Sequence, residues 1–136
     1  MIVALEEFQC RDYAIVPDEN RFLLFRPDST IGESIRLAYG VSKAALNQLT
    51  RHLASRYGRD GIRANAIAPG FIMTATAASN VPRDVQERLA GANPTRRLGT
   101  PDDVARVVVF LCSDASSYVN GQVIHVDGGY NIAGVM

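Results

Sequence analysis

The hydrophobic positions of this chain follow two alternating patterns from about residue 37 to its end. Segments with an apolar residue every three or four positions, as on one face of a helix, alternate with short segments that are apolar at most positions. Helices that alternate with short apolar strands are typical of βαβ units, which build a parallel sheet. The pattern therefore predicts an α/β fold.

The first predicted helix runs from about Ala38 to Tyr57, and Gly58 and Gly61 follow it and favour its end. Its apolar residues are separated by three, four and four positions: Leu46, Leu49, Leu53 and Tyr57. This spacing predicts one apolar helix face.

Three short segments predict strands. Phe22–Phe25 is strand-like but belongs to an N-terminal stretch that carries no motif. Ile62–Ala68 is apolar at most positions and ends at Pro69-Gly70, which indicates a buried parallel strand running into a loop. The last strand is predicted at Gln122–Val126, with Asp127-Gly128-Gly129 as a structural exit turn whose glycines permit positive φ.

Two more helices are predicted in the second half of the chain. A short one covers about Arg83 to Ala90, after Pro82. The other is the best specified, because Thr100 is a good N-cap, Pro101 suits the first helical position, and two aspartates follow at the positive helix end. Its predicted buried stripe comprises Val104, Val107, Val108 and Leu111.

Composition and charge favour a protein that acts on small molecules. The length of 136 residues suits one domain, and 47% hydrophobic with 21% charged residues is ordinary for a globular chain. Fourteen basic residues balance fourteen acidic ones, so the chain has no net positive charge that would attract nucleic acid or an anionic membrane surface. No apolar run approaches the roughly 20 residues of a membrane span.

The cysteines and histidines add no further chemistry. Cys10 and Cys112 lack CxxC spacing, and the start at Met1 lacks a basic stretch followed by a long apolar run, so we expect a cytoplasmic protein without disulfides. His125 alternates with apolar neighbours and is expected to be a packed or exposed strand residue rather than a ligand. Two scattered histidines and two scattered cysteines suggest no metal site.

One pair of residues suggests acid/base chemistry. Tyr39 and Lys43 are four positions apart at the start of the first helix, so they share one helix face. A free tyrosine has a pKa near 10, and an ammonium within about 4 to 6 Å favours the phenolate and lowers that pKa. Such a tyrosine can give a proton to a carbonyl or take one from an alcohol. The spacing alone is weak evidence, since most such pairs are solvated helix surface.

Five motifs raise the significance of that pair by occurring together: Tyr39–Leu46 (YGVSKAAL), Gly61–Thr74 (GIRANAIAPGFIMT), Arg97–Ala105 (RLGTPDDVA), Phe110–Asp114 (FLCSD) and Gly121–Gly129 (GQVIHVDGG). In this order and approximate spacing they closely resemble the short-chain dehydrogenase/reductase family, over about residues 29 to 130. The resemblance implies the C-terminal half of a Rossmann-like domain, a doubly wound parallel sheet.

The resemblance also implies an activity and most of a site. The expected function is an NAD(P)-dependent oxidoreductase that interconverts a secondary alcohol and a ketone, in a protein that forms homo-oligomers. Tyr39 would be the acid/base, and Lys43 would lower its pKa and hold the ribose hydroxyls of NAD or NADP. Cofactor contacts are implied for the loop residues Pro69, Gly70, Ile72 and Thr74. A Pro-Gly turn after a parallel strand also lies where open α/β sheets bind ligands, although in isolation it is more often a simple chain reversal.

The family's substrate-binding serine is harder to assign in this sequence. The family places it about a dozen residues before the tyrosine, and the more usual position thirteen back is occupied by Arg26. Ser29 lies ten residues upstream and is followed three residues later by glycine, as in the family; Ser34 lies only five upstream. We favour Ser29 as the catalytic serine, against the alternative that both are loop serines and the site is incomplete.

The family's glycine-rich phosphate loop has no counterpart in this sequence. None of the eleven glycines form a closely spaced triplet followed by a helix, and the residue that selects NAD or NADP is not recognisable. We therefore expect an unrecognised segment at residues 1–28 and a partial, truncated domain at residues 29–136. The competing hypothesis is an inactive family fragment that associates with a full-length relative or has no function.

Overall fold

The computed structural model describes residues 13–16, 22–25 and 37–133, with side chains from Gly40 to Ala133. The strands are β1 (Tyr13–Val16), β2 (Phe22–Phe25), β3 (Arg63–Pro69) and β4 (Val123–Val126). The α-helices are α1 (Leu37–Tyr57), α2 (Ala75–Asn80), α3 (Arg83–Ala92) and α4 (Pro101–Leu111), with 3-10 turns at Gly58–Asp60, Asp114–Ser116 and Tyr130–Ile132.

These four strands form one sheet in the order β1-β2-β3-β4. The pairs β2–β3 and β3–β4 are parallel, with Leu24 opposite Asn65 and Ala66 opposite Val123, which confirms the predicted parallel α/β arrangement. Strand β1 pairs antiparallel with β2 and was not predicted, because an apolar run of four residues does not by itself distinguish a strand from a helix segment.

Strand β3 is the centre of the sheet and is covered on both faces. Successive strand residues point to opposite faces, and the residues of Ala64–Ala68 are all between 0% and 4% exposed. Ile67 packs against Val104 and Leu111 of α4, which form the core cluster. The alternate residues are alanines that point to the opposite face, where α1 contacts the strand.

Helix α1 confirms the predicted helix, but its packed face differs from the predicted apolar stripe. The buried residues are Lys43, Thr50 and Ala54, whereas Leu49 and Tyr57 are 41% and 38% exposed. The remaining two leucines of the stripe are half-buried. The stripe prediction is therefore only partly right, because the alanine face of β3 lets the helix approach closely and favours small residues at the contact.

Helix α4 matches its prediction in both its start and its buried face. The Thr100 hydroxyl accepts a hydrogen bond from the Asp103 N–H, and the Asp103 carboxylate accepts one from the Thr100 N–H at 2.7 Å, so the two form a capping box. Arg97 adds a bidentate pair to the same carboxylate, at 2.7 and 2.8 Å. The predicted stripe faces the core, with Val104 and Leu111 buried and Val107 and Val108 packed against them.

Strands β3 and β4 leave the sheet side by side, and their exits are in close contact. The Gly70 N–H donates to the Val126 carbonyl at 3.1 Å. A Cβ atom on Gly70 would lie 2.8 Å from both Cα and Cβ of Asp127, so only glycine fits there without a shift. The turn after β4 has positive φ at Gly128 (65°) and Gly129 (87°), which confirms its predicted conformation.

Two further expectations are settled at this level. The short predicted helix after Pro82 is α3. Helix α2 was not predicted, because its sequence of small and polar residues has no apolar stripe. His125 is exposed on β4, as one of the two expected environments. Within the described ranges, no helix has both the length and the apolar character needed to cross a membrane.

The Asp103 carboxylate makes stability depend on pH. The hydrogen bonds from Arg97, and then those from Thr100, hold the pKa of Asp103 well below its usual range. Its contribution is therefore complete above the unfolded pKa of about 3.9 and is lost as the pH falls toward the lower folded pKa. We expect Asp103→Asn to lower the urea midpoint at pH 7 and to flatten its decline below pH 4.

The matched control for this substitution is Asp102→Asn. It removes the same charge from the same helical turn, but it breaks only an exposed pair with Arg106 at 2.7 Å. Exposed pairs of this kind contribute little to stability. Equal acid dependence in the two variants would show that the Asp103 cluster does not have the stabilising role assigned to it.

Gly70→Ala should destabilise the protein by about 1 to 3 kcal/mol, since the added methyl group overpacks a tight contact with Asp127. Gly91→Ala in α3 is the control, because its Cβ meets nothing within 4 Å. Alanine is favoured over glycine in a helix interior by about 0.5 to 1 kcal/mol. Gly91 lies in the last turn of α3, so this variant should be as stable as the wild type or slightly more stable. Urea unfolding measures both, and equal midpoints would contradict the close approach.

Candidate functional site

The site predicted from the sequence lies at the carboxyl edge of the parallel strands. Strands β2 and β3 are parallel and are joined by α1, so the helix must run back along the sheet between them. This topology brings the first turns of α1 to the edge where β3 ends at Pro69. It is also the edge at which open α/β sheets bind ligands.

The predicted catalytic residues are described to different extents. Tyr39 lies in the first turn of α1, and its side chain falls outside the described part of the chain. Lys43 lies one turn further along the same helix and is 5% exposed. Ser29, with the alternative positions Ser34 and Arg26, lies outside the described residues.

The predicted cofactor residues occupy the loop between β3 and α2, which we call the β3–α2 loop (residues 69–74). Pro69 is the last residue of β3, and Gly70 is held against the exit of β4. Thr74 is the N-cap of α2, and its hydroxyl oxygen accepts a hydrogen bond from the Ala77 N–H at 3.1 Å. Since a hydroxyl has one hydrogen and two lone pairs, the Thr74 hydroxyl can still donate to a ligand.

Ile72 is held in the middle of this loop by its side chain and by its neighbours' backbone. The side chain packs against the core cluster, so it points into the protein. Ile72 also forms a parallel bridge with Gly99, in which Gly99 bonds to the residues on either side of Ile72. In such a bridge the N–H and C=O groups of Ile72 itself point away from Gly99. The Ile72 carbonyl accepts a hydrogen bond from the Thr74 N–H at 3.1 Å, so a ligand contact from Ile72 would come from its N–H.

A second layer of residues supports the β3–α2 loop and was not assigned to the site from the sequence. The buried Asn93 donates from Nδ2 to the Asp127 carbonyl at 2.8 Å, next to Gly70. The Asp127 carboxylate in turn accepts from the N–H groups of Gly129 and Asn131, both at 2.9 Å. The sequence predicted the turn at Gly128-Gly129. No local pattern in the sequence indicates that Asn93 contacts Asp127, which lies 34 positions away.

The groups that this edge offers to a ligand are mainly donors. They comprise the Ile72 N–H and the Thr74 hydroxyl on the loop, and the topology brings the buried Lys43 of α1 to the same edge. Donors of this kind suit a neutral, oxygen-rich group such as a ribose with a carboxamide. The residues present therefore fit the nicotinamide end of a dinucleotide.

Comparison with known proteins identifies the family. A family model described as enoyl-(acyl carrier protein) reductase matches residues 28–131. The chain is 50% identical over 95 residues to protein FixR of Bradyrhizobium diazoefficiens, and this match covers 70% of the chain and 33% of that protein.

Solved structures show the same fold. One is an oxidoreductase of the short-chain dehydrogenase/reductase family from Burkholderia thailandensis, with a TM-score of 0.64 and 41% identity over 69% of this chain and 37% of that chain. Another is a 7α-hydroxysteroid dehydrogenase complexed with NADH and 7-oxo glycochenodeoxycholic acid, with a TM-score of 0.72 and 36% identity over 79% and 43% of the two chains.

The chain spans about a third of the length of the curated relatives it matches. The expected Rossmann-like α/β fold is confirmed by these structural neighbours. The family match covers well over half of the residues, in the region that carries the five motifs. The chain therefore belongs to the short-chain dehydrogenase/reductase family.

Proposed function

We propose that this chain supplies the catalytic side of an NAD(P)-dependent oxidoreductase that interconverts a secondary alcohol and a ketone. The observation that carries the proposal is the buried Lys43, one helical turn after Tyr39 and at the sheet edge where the β3–α2 loop begins. A structural neighbour in complex with NADH and an oxo steroid supports the cofactor class and the reaction class.

Burial of Lys43 favours a specific role over a solvated one. Lysine is almost never buried unless its charge has a partner, because removing an ammonium from water is costly. Most Tyr–Lys pairs at this spacing lie on an exposed helix surface, and Lys43 does not. An ammonium held beside Tyr39 stabilises the phenolate relative to the phenol.

The proposed roles follow from this pairing. In the direction of reduction, the Tyr39 hydroxyl gives its proton to the substrate carbonyl oxygen; in the direction of oxidation, the Tyr39 phenolate takes the proton from the alcohol. Lys43 lowers the pKa of Tyr39 and binds ribose hydroxyls. Ser29 donates a hydrogen bond to the same substrate oxygen. The nicotinamide cofactor, when bound, donates or accepts the hydride.

The β3–α2 loop would hold the nicotinamide end of NAD or NADP. Pro69 and Gly70 set the direction in which the chain leaves β3, Ile72 offers its backbone, and Thr74 offers its hydroxyl hydrogen. Because both ends of the loop are fixed to neighbouring elements, these groups are already ordered before a ligand arrives. Ordering in advance lowers the entropy that binding would otherwise lose.

A second proposal concerns the 136-residue chain assayed alone. Its support is that the sequence contains no closely spaced glycine triplet before a helix, the element that cradles the dinucleotide's pyrophosphate in the family. In this proposal the chain is catalytically inactive by itself and associates with a second copy or with a longer relative.

The inactive-chain proposal is tested by titrating the purified chain with NADH and NADPH. We expect feeble binding and no measurable turnover, since contacts to the pyrophosphate contribute several charge-assisted hydrogen bonds of about 1.5 to 3 kcal/mol each. Losing several of them weakens binding by several powers of ten. A dissociation constant in the low micromolar range, measured by calorimetry, would contradict the inactive-chain proposal and favour a self-sufficient enzyme.

The catalytic roles are tested in a chimera in which residues 28–131 replace the matched part of the 7α-hydroxysteroid dehydrogenase. We expect Tyr39→Phe to lower kcat with NADH and the 7-oxo steroid by about 10²- to 10⁴-fold, because one transferable proton is lost. The affinity for NADH should stay nearly unchanged.

The control in the same chimera is Tyr57→Phe, which removes the same hydroxyl from the far end of α1. Its kcat should equal that of the unsubstituted chimera. A loss of less than about tenfold in Tyr39→Phe would show that Tyr39 is not the acid/base group.

A further inference from the structure

The β3–α2 loop is bonded to a single residue, Gly99, that lies well beyond it in the sequence. The Gly99 N–H donates to the Phe71 carbonyl at 3.0 Å, and the Met73 N–H donates to the Gly99 carbonyl at 2.7 Å. These two bonds form the parallel bridge between Gly99 and Ile72. The middle of the loop is thereby held as a short extended segment.

Gly99 also limits where the Ile72 side chain can lie. A Cβ atom on residue 99 would stand 2.5 Å from Cδ1 of Ile72, nearer than real Cβ atoms approach. Gly99 does not have a positive φ, so the requirement for glycine here comes from close approach rather than from backbone conformation. Because the rest of the Ile72 side chain packs on the core cluster, any larger residue at 99 has to displace Ile72.

Gly99 is itself held in place by the residues on either side of it. Arg97 and Thr100 both donate to the Asp103 carboxylate, at 2.7 to 2.8 Å. Arg97 Nη1 also donates to the Leu98 carbonyl at 3.1 Å. We call Arg97, Thr100 and Asp103 the Asp103 clip. Their hydrogen bonds to one carboxylate hold residues 97–100, which lead into α4.

We propose that Gly99, held by the Asp103 clip, is a positioning residue for the cofactor-binding loop. Its two bonds to the loop set the position of Phe71–Met73, so that the Ile72 backbone and the Thr74 hydroxyl face the dinucleotide. Gly99 is not catalytic, since it acts only through the loop. The proposal rests on the proposed function for its ligand, but the loop–Gly99 coupling is a property of this chain without any ligand.

The coupling is tested by amide hydrogen exchange of the ligand-free 136-residue chain. The reporter is the Met73 N–H, and the reference is the Ala66 N–H of β3, which donates to the carbonyl of Gln122, just before β4, at 2.8 Å. Gly99→Ala should speed Met73 exchange by about tenfold relative to Ala66 and shift the Ile72 methyl resonance. This variant can fold, because the atom its methyl group meets is the end of a flexible side chain.

Gly91→Ala is the control, since it makes the same change where no atom lies within 4 Å. The ratio of Met73 to Ala66 exchange separates a local effect from a general loss of stability, which would speed both amides together. A ratio in Gly99→Ala equal to that in Gly91→Ala would overturn the positioning role.

Asp103→Asn provides a second variant, because it breaks the clip without adding an atom beside Ile72. We expect it to raise the Met73 to Ala66 ratio by severalfold, whereas Asp102→Asn leaves the ratio unchanged. If Asp103→Asn left the ratio unchanged, the clip would have no part in positioning the loop.

A parallel measurement with NADH in the 7α-hydroxysteroid dehydrogenase chimera tests the ligand separately, because that dehydrogenase binds NADH. Slower exchange of the Ile72 and Met73 amides in the unsubstituted chimera, with a smaller effect in Gly99→Ala, supports the loop as the cofactor site. No effect of NADH in the unsubstituted chimera would count against the proposed function, while the ligand-free ratios would still decide the role of Gly99.

Discussion

The structure depends on one constraint: β3 has neighbouring strands on both edges and helices on both faces, so every polar group that it buries needs a partner within the protein. Its backbone groups are paired with β2 and β4 along their common length. Its outward residues toward α1 are alanines, which permit the helix to lie close to the sheet. The buried face of α1, with Thr50 and Ala54, also carries Lys43, which is 5% exposed. The polar residues of β3 therefore have to find partners at the opposite, amino edge.

Polar side chains hold the amino edge of the sheet together through hydrogen bonds. Arg63 donates to the carbonyls of Leu111 and Val119 at 2.7 and 3.1 Å, and so ties the end of α4 to the start of β3. The buried Asn65 donates to the Val119 carbonyl and accepts from the Gln122 N–H, which fixes the approach to β4. Asn120 accepts from the Ala64 N–H. Because these bonds set the positions of the strands at one edge, the loops at the other edge can carry the donors of the candidate site.

Much of this fold could be predicted from local sequence. The capping signals at Thr100 and Pro101 and the apolar stripe of α4 act within one helix, and both are found as predicted. The stripe of α1 was only partly right, because hydrophobicity alone does not report that Leu49 faces away from a strand made of alanines. The selection of Thr50 and Ala54 for the buried face comes from the shape of the partner strand, which lies outside the helix.

In the candidate site, too, local features could be predicted from the sequence and contacts between distant residues could not. The identities of Lys43 and Thr74 could be taken from motifs, since each lies in a short segment with a recognisable spacing. The packing of Ile72 on the core, and its bridge to Gly99, could not be inferred from any window of the sequence, because the two residues are 27 positions apart. Predicting that contact requires knowing that the start of α4 returns to the end of β3.

The β3–α2 loop is fixed from two independent sides, and this has a consequence for any ligand that it binds. Gly70 ties the loop to β4 and the Asp127 turn, whereas Gly99 ties it to the start of α4. All of these contacts lie within residues 63–131, so the β3–α2 loop is held by residues of this part of the chain alone. In the proposed function, binding energy from a dinucleotide's distant pyrophosphate and adenosine need not be used to order the loop. It would be available instead to hold the reacting ring against Tyr39, where correct orientation has its largest effect on rate.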